Sequence, residues 1–487
     1  MEKRERWDKR VEFILAAIGA AVGLGNIWRF PYMVYQNGGG AFLIPYFVAL
    51  FTAGIPLMIL EYTLGTRMQG GAPQAFAKIS KKFEWVGWLS IVLVFFIVSY
   101  YTVIMAWSFD YLWFSLKLKW GHDTANFFYK DFLQLSGSPS VLGSIRWPVI
   151  IGLVFAWLSI FLCIFKGPKT TGKIVYFTVL TPIVLLIIMV IRGLTLPNAI
   201  EGIKYYLTPN FKKLLEPRVW LAAYGQVFFS LSLAMGTLIA YSSYLPKDSD
   251  TNNNAFITSL ADAGIAFLAG FAVFSVLGYL ALAMNTEVPK VVSSGFGLAF
   301  ITYPTAINHL PAAPLFGVFF FLLLLTLAID SAFSEIEGIA AGFMDKWKIK
   351  RIPLLLAIII PAFLIGLIYT TRGGFYWIDV VDYFVCTFGL TLVGFLETVI
   401  VGYYYGVDKM REHSNSTSDF AVGKWWNICI KYITPIILVI SFFSSIYSIL
   451  KKPYGDYPLW VTIIGFGIFI FSIIMAFILQ AIKGKEE

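Results

Sequence analysis

The sequence predicts an all-α polytopic membrane protein with twelve transmembrane helices, and three observations carry that prediction. Hydrophobic residues make up 58% of the 487 and charged residues only 13%, about half the charged share of a typical soluble domain. Mean hydropathy is +0.75. Apolar stretches long enough to cross about 30 Å of hydrocarbon, roughly 20 residues each, recur along the whole chain between charge clusters and Gly/Pro punctuation.

The twelve expected spans lie near 11–35, 41–64, 84–116, 147–165, 173–192, 218–244, 255–283, 314–344, 352–370, 375–405, 424–450 and 458–482. Lys3, Arg4, Arg6, Lys9 and Arg10 precede the first, and no small-residue cleavage site follows, so it reads as a retained span and not a signal peptide. With both termini inside, the inner segments hold 22 Lys and Arg and the outer loops 13, while Arg29 and Lys431 fall within spans. Positive loops mark the cytoplasmic side, so both termini are expected in the cytoplasm of a multi-pass cell-membrane protein. That asymmetry also accounts for the net charge of +9 without a nucleic-acid partner, which would need basic residues clustered on one soluble face. On this topology the sequon Asn415-Ser416-Thr417 stays unmodified.

Cys163, Cys386 and Cys429 sit inside apolar stretches with no CxxC spacing, and His122, His309 and His413 are far apart in sequence. Neither a disulfide framework nor a zinc site is indicated. An enzyme would need a convergent nucleophile and base, and the residue pattern offers none, so no catalytic residue and no organic cofactor are expected. The GxG of GLGN has no strand before it, and the SxS of span six has no histidine base.

Spans one and six are not simple helices. The first carries Gly19, Gly23, Gly25 and Asn26 in GAAVGLGN, and the sixth carries Ser230, Ser232, Ala234 and Gly236 in FFSLSLAMG. Gly19 and Gly23 also satisfy small-xxx-small helix packing, which is the plainer reading of one such pair. The two runs occupy equivalent first positions of two five-helix halves, 11–192 and 218–405, followed by an extra pair of spans at 424–482 within one transmembrane domain, 1–487. Where a helix breaks inside a membrane, freed amides face an anion and freed carbonyls a cation.

The motifs GLGNIWRFPYMVYQNGGGAFLIPYF at 23–47, GIPLMILEYTLG at 54–65 and GQVFFSLSLAMG at 225–236 closely resemble the neurotransmitter:sodium symporters. So do SYYTVIMAW in span three, TLAIDSAF in span eight and DYF at 382–384. The resemblance is to a prokaryotic member similar to the bacterial leucine transporter, and it runs from Arg4 to about the end of span ten. It implies the leucine-transporter fold, a 5+5 inverted repeat with spans one and six unwound. The pointer from paired broken helices comes partly from transporters of this same fold, so it adds no independent weight.

The implied function is sodium-coupled import of an amino acid by alternating access. Sodium site 1 would use Ala21, Asn26, Ser230 and Asp262, and sodium site 2 Gly19, Val22, Leu327, Asp330 and Ser331. Both are hard oxygen sets of the kind an alkali cation needs. Either Asp could equally be a structural carboxylate facing the bundle. Chloride-dependent relatives have Asn and Ser where this chain has Asp262 and Ala266, so the resemblance implies chloride-independent transport, with Asp262 a candidate for picking up a proton on the return step. Asp330 stands where the bacterial leucine transporter has Thr.

Monoamine carriers have Asp at the position of Gly23, so Gly23 favours an amino acid. Its contacts by resemblance are Ala21, Leu24, Gly25, Ile97, Tyr101, Phe229, Ser232, Met235, Ser331 and Glu335. A Tyr such as Tyr101 can also serve as an interfacial anchor. Glu335 is unusual for that position: it either binds a basic or hydroxylated side chain or is a neutral acid hydrogen-bonded inside the bundle. Arg29 and Asp382, with Gln226 holding Arg29, resemble an outer gate, and Arg4, Trp7, Tyr244 and Asp345 an inner one; an exposed Arg4–Asp345 pair would contribute little by itself. Glu61 in span two is placed to accept from amides freed in span six. Partners are the bilayer and a small molecule, with the chain a monomer or homodimer. Another small carboxylate or betaine as solute, or a non-transporting sensor, remain the competing functions.

Overall fold

The computed structural model describes residues 5–291 and 295–485. Among them the chain is helical apart from loops, with two isolated backbone bridges, Gly39 to Pro209 and Ile145 to Thr371. Ten helices are long and apolar enough to cross a membrane, and Arg10–Ala21 with Leu24–Gln36, bent by 59°, makes an eleventh crossing. The remaining expected span is present as two short helices, Pro217–Ser230 and Thr237–Ser243, with six residues between them.

Span three, Glu84–Ser115, is the central pillar. In its most apolar stretch 83% of residues are buried inside the protein, against 17% for Lys424–Asp456 and 28% for Leu459–Ala481. The last two spans therefore lie at the periphery, where Phe443, Leu450 and Ile463 are exposed on faces that lipid would cover. Trp88, Trp107 and Tyr111 of span three are fully buried, and Ala313–Trp347 packs along it. Gly152 of span four sits so close to span three that a Cβ there would lie 2.6 Å from the Ala106 carbonyl oxygen.

Span ten runs further than the apolar pattern indicates. Its helical path continues to Thr417 and not 405, because Val407–Thr417, VDKMREHSNST, is polar yet still helical beyond Gly406 at φ +99°. Hydropathy marks where a segment can leave the bilayer and not where its helix ends.

The two broken spans are built differently. In the first, Val22 and Gly23 leave the helix, and the Gly23 amide donates to Asn26 Oδ1 at 3.0 Å, which caps the helix that resumes at Leu24. In the sixth, Ser232, Ala234 and Gly236 all take left-handed backbone, at φ +52°, +63° and +72°. The Ala234 amide freed there donates to Glu61 Oε1 at 2.7 Å.

Candidate functional site

A cavity of about 330 Å³ lies between the two breaks. All ten residues expected to contact substrate line it: Ala21, Leu24 and Gly25 from span one, Ile97 and Tyr101 from span three, Phe229, Ser232 and Met235 from span six, Ser331 and Glu335 from span eight. Ser232 Oγ donates to the Ala20 carbonyl at 2.8 Å and so ties the two breaks together. Gly23 faces span eight, where an added Cβ would lie 2.9 Å from Ser331 Oγ and 3.3 Å from Tyr101 Oη. Tyr101 Oη is buried at the mouth of the first break, beside Ser331 and the Leu24 backbone.

Beside the cavity, Asn26, Ser230 and Asp262 converge. Asn26 Nδ2 donates to Asp262 Oδ1 at 2.7 Å and to Ser230 Oγ at 3.2 Å, and Ser230 Oγ donates to Asp262 Oδ2 at 2.9 Å. Asp262 is fully buried, so its carboxyl is satisfied by these neighbours alone, while Asn26 Oδ1 is turned to the Gly23 amide.

On the other side of the first break, Ile18, Gly19, Val22, Leu327 and Asp330 enclose a small void of about 10 Å³, the space of a single small species. Asp330 Oδ1 accepts from Thr178 Oγ1 at 2.5 Å, and its Oδ2 is buried without a partner. Ser331 Oγ lies 3.4 Å from both the Gly19 and the Leu327 carbonyl oxygens. A Cβ on Gly19 would lie 2.9 Å from Asp330 Oδ2, so only glycine leaves the carboxylate room there.

At the end of the cavity away from Trp7, the expected Arg29–Asp382 ion pair is not made. Asp382 Oδ1 instead accepts from Tyr100 Oη at 2.5 Å, and the Arg29 guanidinium lies 4.2 Å above the Phe229 ring. Gln226 does not hold Arg29 either: both of its side-chain polar atoms are buried without partners. The reason is the stack on Phe229, which takes up the cation's face and draws it from the amide. The cavity continues past Arg29 and Asp382 to Asp379 and Tyr454.

Toward Trp7 the side chains meet one another directly. Trp7 Nε1 donates to the Tyr241 carbonyl at 3.0 Å, and Tyr244 Oη to Glu337 Oε1 at 2.8 Å. Glu337, itself buried, also forms an ion pair with the mostly covered Arg351. Asp345 Oδ2 accepts from the Gly71 amide at 2.6 Å. Arg4 lies outside the described residues.

Comparison with known proteins decides what this arrangement is. The family model of the sodium:neurotransmitter symporter family matches residues 4–124 and 119–487. The chain belongs to that family. It is 42% identical over 484 residues to an uncharacterized sodium-dependent transporter of Methanocaldococcus jannaschii, covering 99% of this chain and 98% of that one. It is 35% identical to the sodium- and chloride-dependent taurine transporter of Rattus norvegicus, covering 97% and 83%. The human sodium- and chloride-dependent GABA transporter 2 is 34% identical, covering 95% and 84%.

This symporter is therefore a sodium-dependent membrane transporter, and several residues that its packed helices bring together escape a reading of motifs. Tyr100 sits next to Tyr101 in SYYTV, but its bond to Asp382 crosses 282 residues. Thr178 and Arg351 lie in stretches with no marker of their own, and each meets its carboxylate only once the helices are packed. Glu397 is fully buried with both carboxyl oxygens unpartnered. The one available signal was its charge, an acid in the middle of an apolar run.

Proposed function

We propose that this symporter imports an amino acid with two sodium ions and without chloride, by alternating access from the cell membrane's outer face, with both termini cytoplasmic. Sodium site 1 is Ala21, Asn26, Ser230 and Asp262; site 2 is Gly19, Val22, Leu327, Asp330 and Ser331. The access gates are Arg29 with Asp382 on one side and the Trp7, Tyr244 and Asp345 group, with Arg4, on the other. The two halves, 11–192 and 218–405, act as inverted repeats, with 424–482 as an accessory pair, in a monomer or homodimer.

The supporting observation is the mouth of the first break. Gly23 brings the break within a methyl's width of the Ser331 and Tyr101 hydroxyls, all three residues line the cavity, and the cavity reaches Leu24 and Gly25 at the start of a resumed helix. Helix starts favour anions, so the carboxylate of an amino acid fits this mouth while its ammonium faces the carbonyls of the broken segments. The taurine and GABA named for two relatives are likewise molecules with an acid at one end and an amine at the other. For chloride, the support is a fully buried carboxylate at Asp262 with the small, buried Ala266 one helical turn on: the negative charge is already covalently present.

Sodium-driven amino-acid uptake into proteoliposomes tests this. Uptake is expected to need sodium and to continue undiminished when gluconate replaces chloride. Uptake that stops in gluconate would overturn the chloride-independent reading.

A further inference from the structure

We propose that the solute carries a second cation, a protonated amine at the end of a lysine- or ornithine-length side chain, and that Glu335 is its counter-charge. This rests on the amino-acid reading above and narrows it to one substrate class.

Glu335 lines the cavity and is only 6% exposed, yet its Oε2 is buried without a hydrogen-bond partner. The other carboxylates at or beside the cavity are engaged. Asp382 accepts from Tyr100, and Asp379 from Tyr454 and Tyr457, both at 2.9 Å. Asp262 is held by Asn26 and Ser230, and Asp330 accepts from Thr178 through Oδ1, with its Oδ2 also unpartnered but set against Gly19 in the separate small void on the far side of the first break. On Glu335's own helix, the neighbouring Glu337 is paired with Arg351. Arg29, the cation of the cavity lining, is spent on the Phe229 ring. Among the described residues, then, no cation of the protein answers Glu335.

A carboxylate in such a place is costly unless it is protonated or meets a positive charge. In a solute cavity the positive charge can arrive with the solute, and a charge pair formed away from water discriminates strongly against partners that lack it. The geometry sets the length. Gly23, Tyr101 and Ser331 line the cavity together, and the α-carbon end of an amino acid would lie beside them. Glu335 follows Ser331 by four residues, on the same helix face and about 6 Å along the axis. That is roughly the reach of an extended aminobutyl or aminopropyl stem. Ile97 and Met235 also line the cavity and offer apolar walls to the methylenes of such a stem.

The test is binding to the purified full-length protein, followed by calorimetry in sodium and in potassium at equal ionic strength. Lysine, ornithine, norleucine and Nε-acetyl-lysine are the probes. The expected result is sodium-dependent binding of lysine or ornithine, about a hundredfold tighter than norleucine or acetyl-lysine. In Glu335→Gln, lysine and ornithine should lose about a hundredfold while norleucine changes little, which also shows that the variant is folded. Equal or tighter binding of norleucine to the unmodified protein, or unchanged lysine affinity in Glu335→Gln, overturns the proposal and leaves the amino-acid reading standing. The ranking on the unmodified protein decides the matter even if the variant fails to fold. Sodium-dependent binding of none of these, nor of any other standard amino acid, overturns the amino-acid reading and the proposal with it.

Discussion

The two broken helices face each other across one cavity, but the first is broken by its own sequence and the sixth by its neighbours. In the first, a glycine leaves the helix and the asparagine three residues later accepts its amide, a closed local unit. In the sixth, two of the three left-handed residues, Ser232 and Ala234, carry a Cβ, and such backbone is disfavoured by about 1–2 kcal/mol per residue. What holds it is remote: Glu61, 173 residues earlier, on the Ala234 amide, and the Ala20 carbonyl on Ser232. A break of the first kind should survive loss of its surroundings, and one of the second kind should not.

The sharpest way to break that contrast is Glu61→Ala. It strands the buried Ala234 amide, which costs about 1–3 kcal/mol, and it removes the restraint on the left-handed residues. A marked fall in Tm and loss of sodium-dependent uptake are expected, whereas Glu61→Gln, which can still accept from the amide, should retain much of both. If Glu61→Ala transports normally, the sixth break is held by something else. Asn26→Ala comes next. It removes a cap worth about 1 kcal/mol and two donor contacts to Asp262 and Ser230. It should lower apparent sodium affinity more than Tm, because Gly23 still permits the turn. A Tm loss equal to that of Glu61→Ala would erase the distinction between the breaks. The smallest effect is a control. Gly225 lies within the helix before the sixth break, and a Cβ there would meet nothing within 4 Å. Gly225→Ala should raise Tm slightly, by the equivalent of about 0.5–1 kcal/mol, with uptake unchanged, showing that only the broken segment of this span is sensitive.

The same contrast explains how much could be read from the sequence. GLGN announces the first break, because Gly and Asn are the residues that leave and cap helices. SLSLAMG gives only Gly236 as a backbone signal; the left-handed turns at Ser232 and Ala234 are imposed by contacts with spans one and two. The spans themselves were legible from apolar length, and the cavity lining from motif resemblance. The partner of Arg29 was not, since the expected one was Asp382 and the guanidinium stacks on Phe229. Which partner it takes depends on helix positions. Glu61 was legible because an acid in a buried span needs a partner. Arg351 was not, because an arginine at a span's end has an ordinary place in water or headgroups.

The bond from Ala234 to Glu61 and those from Asn26 to Asp262 and Ser230 also bear on how the chain is made. Their partners are separated by 173, 236 and 204 residues. At about 5–20 residues per second, the ribosome delivers the second partner on the order of 10–50 s after the first. During that interval spans one and two are present with a buried-type amide and carboxyl that have no permanent partners. Nascent halves of this protein must therefore be sheltered, by water, lipid headgroups or the insertion machinery, until span seven arrives and biogenesis can finish.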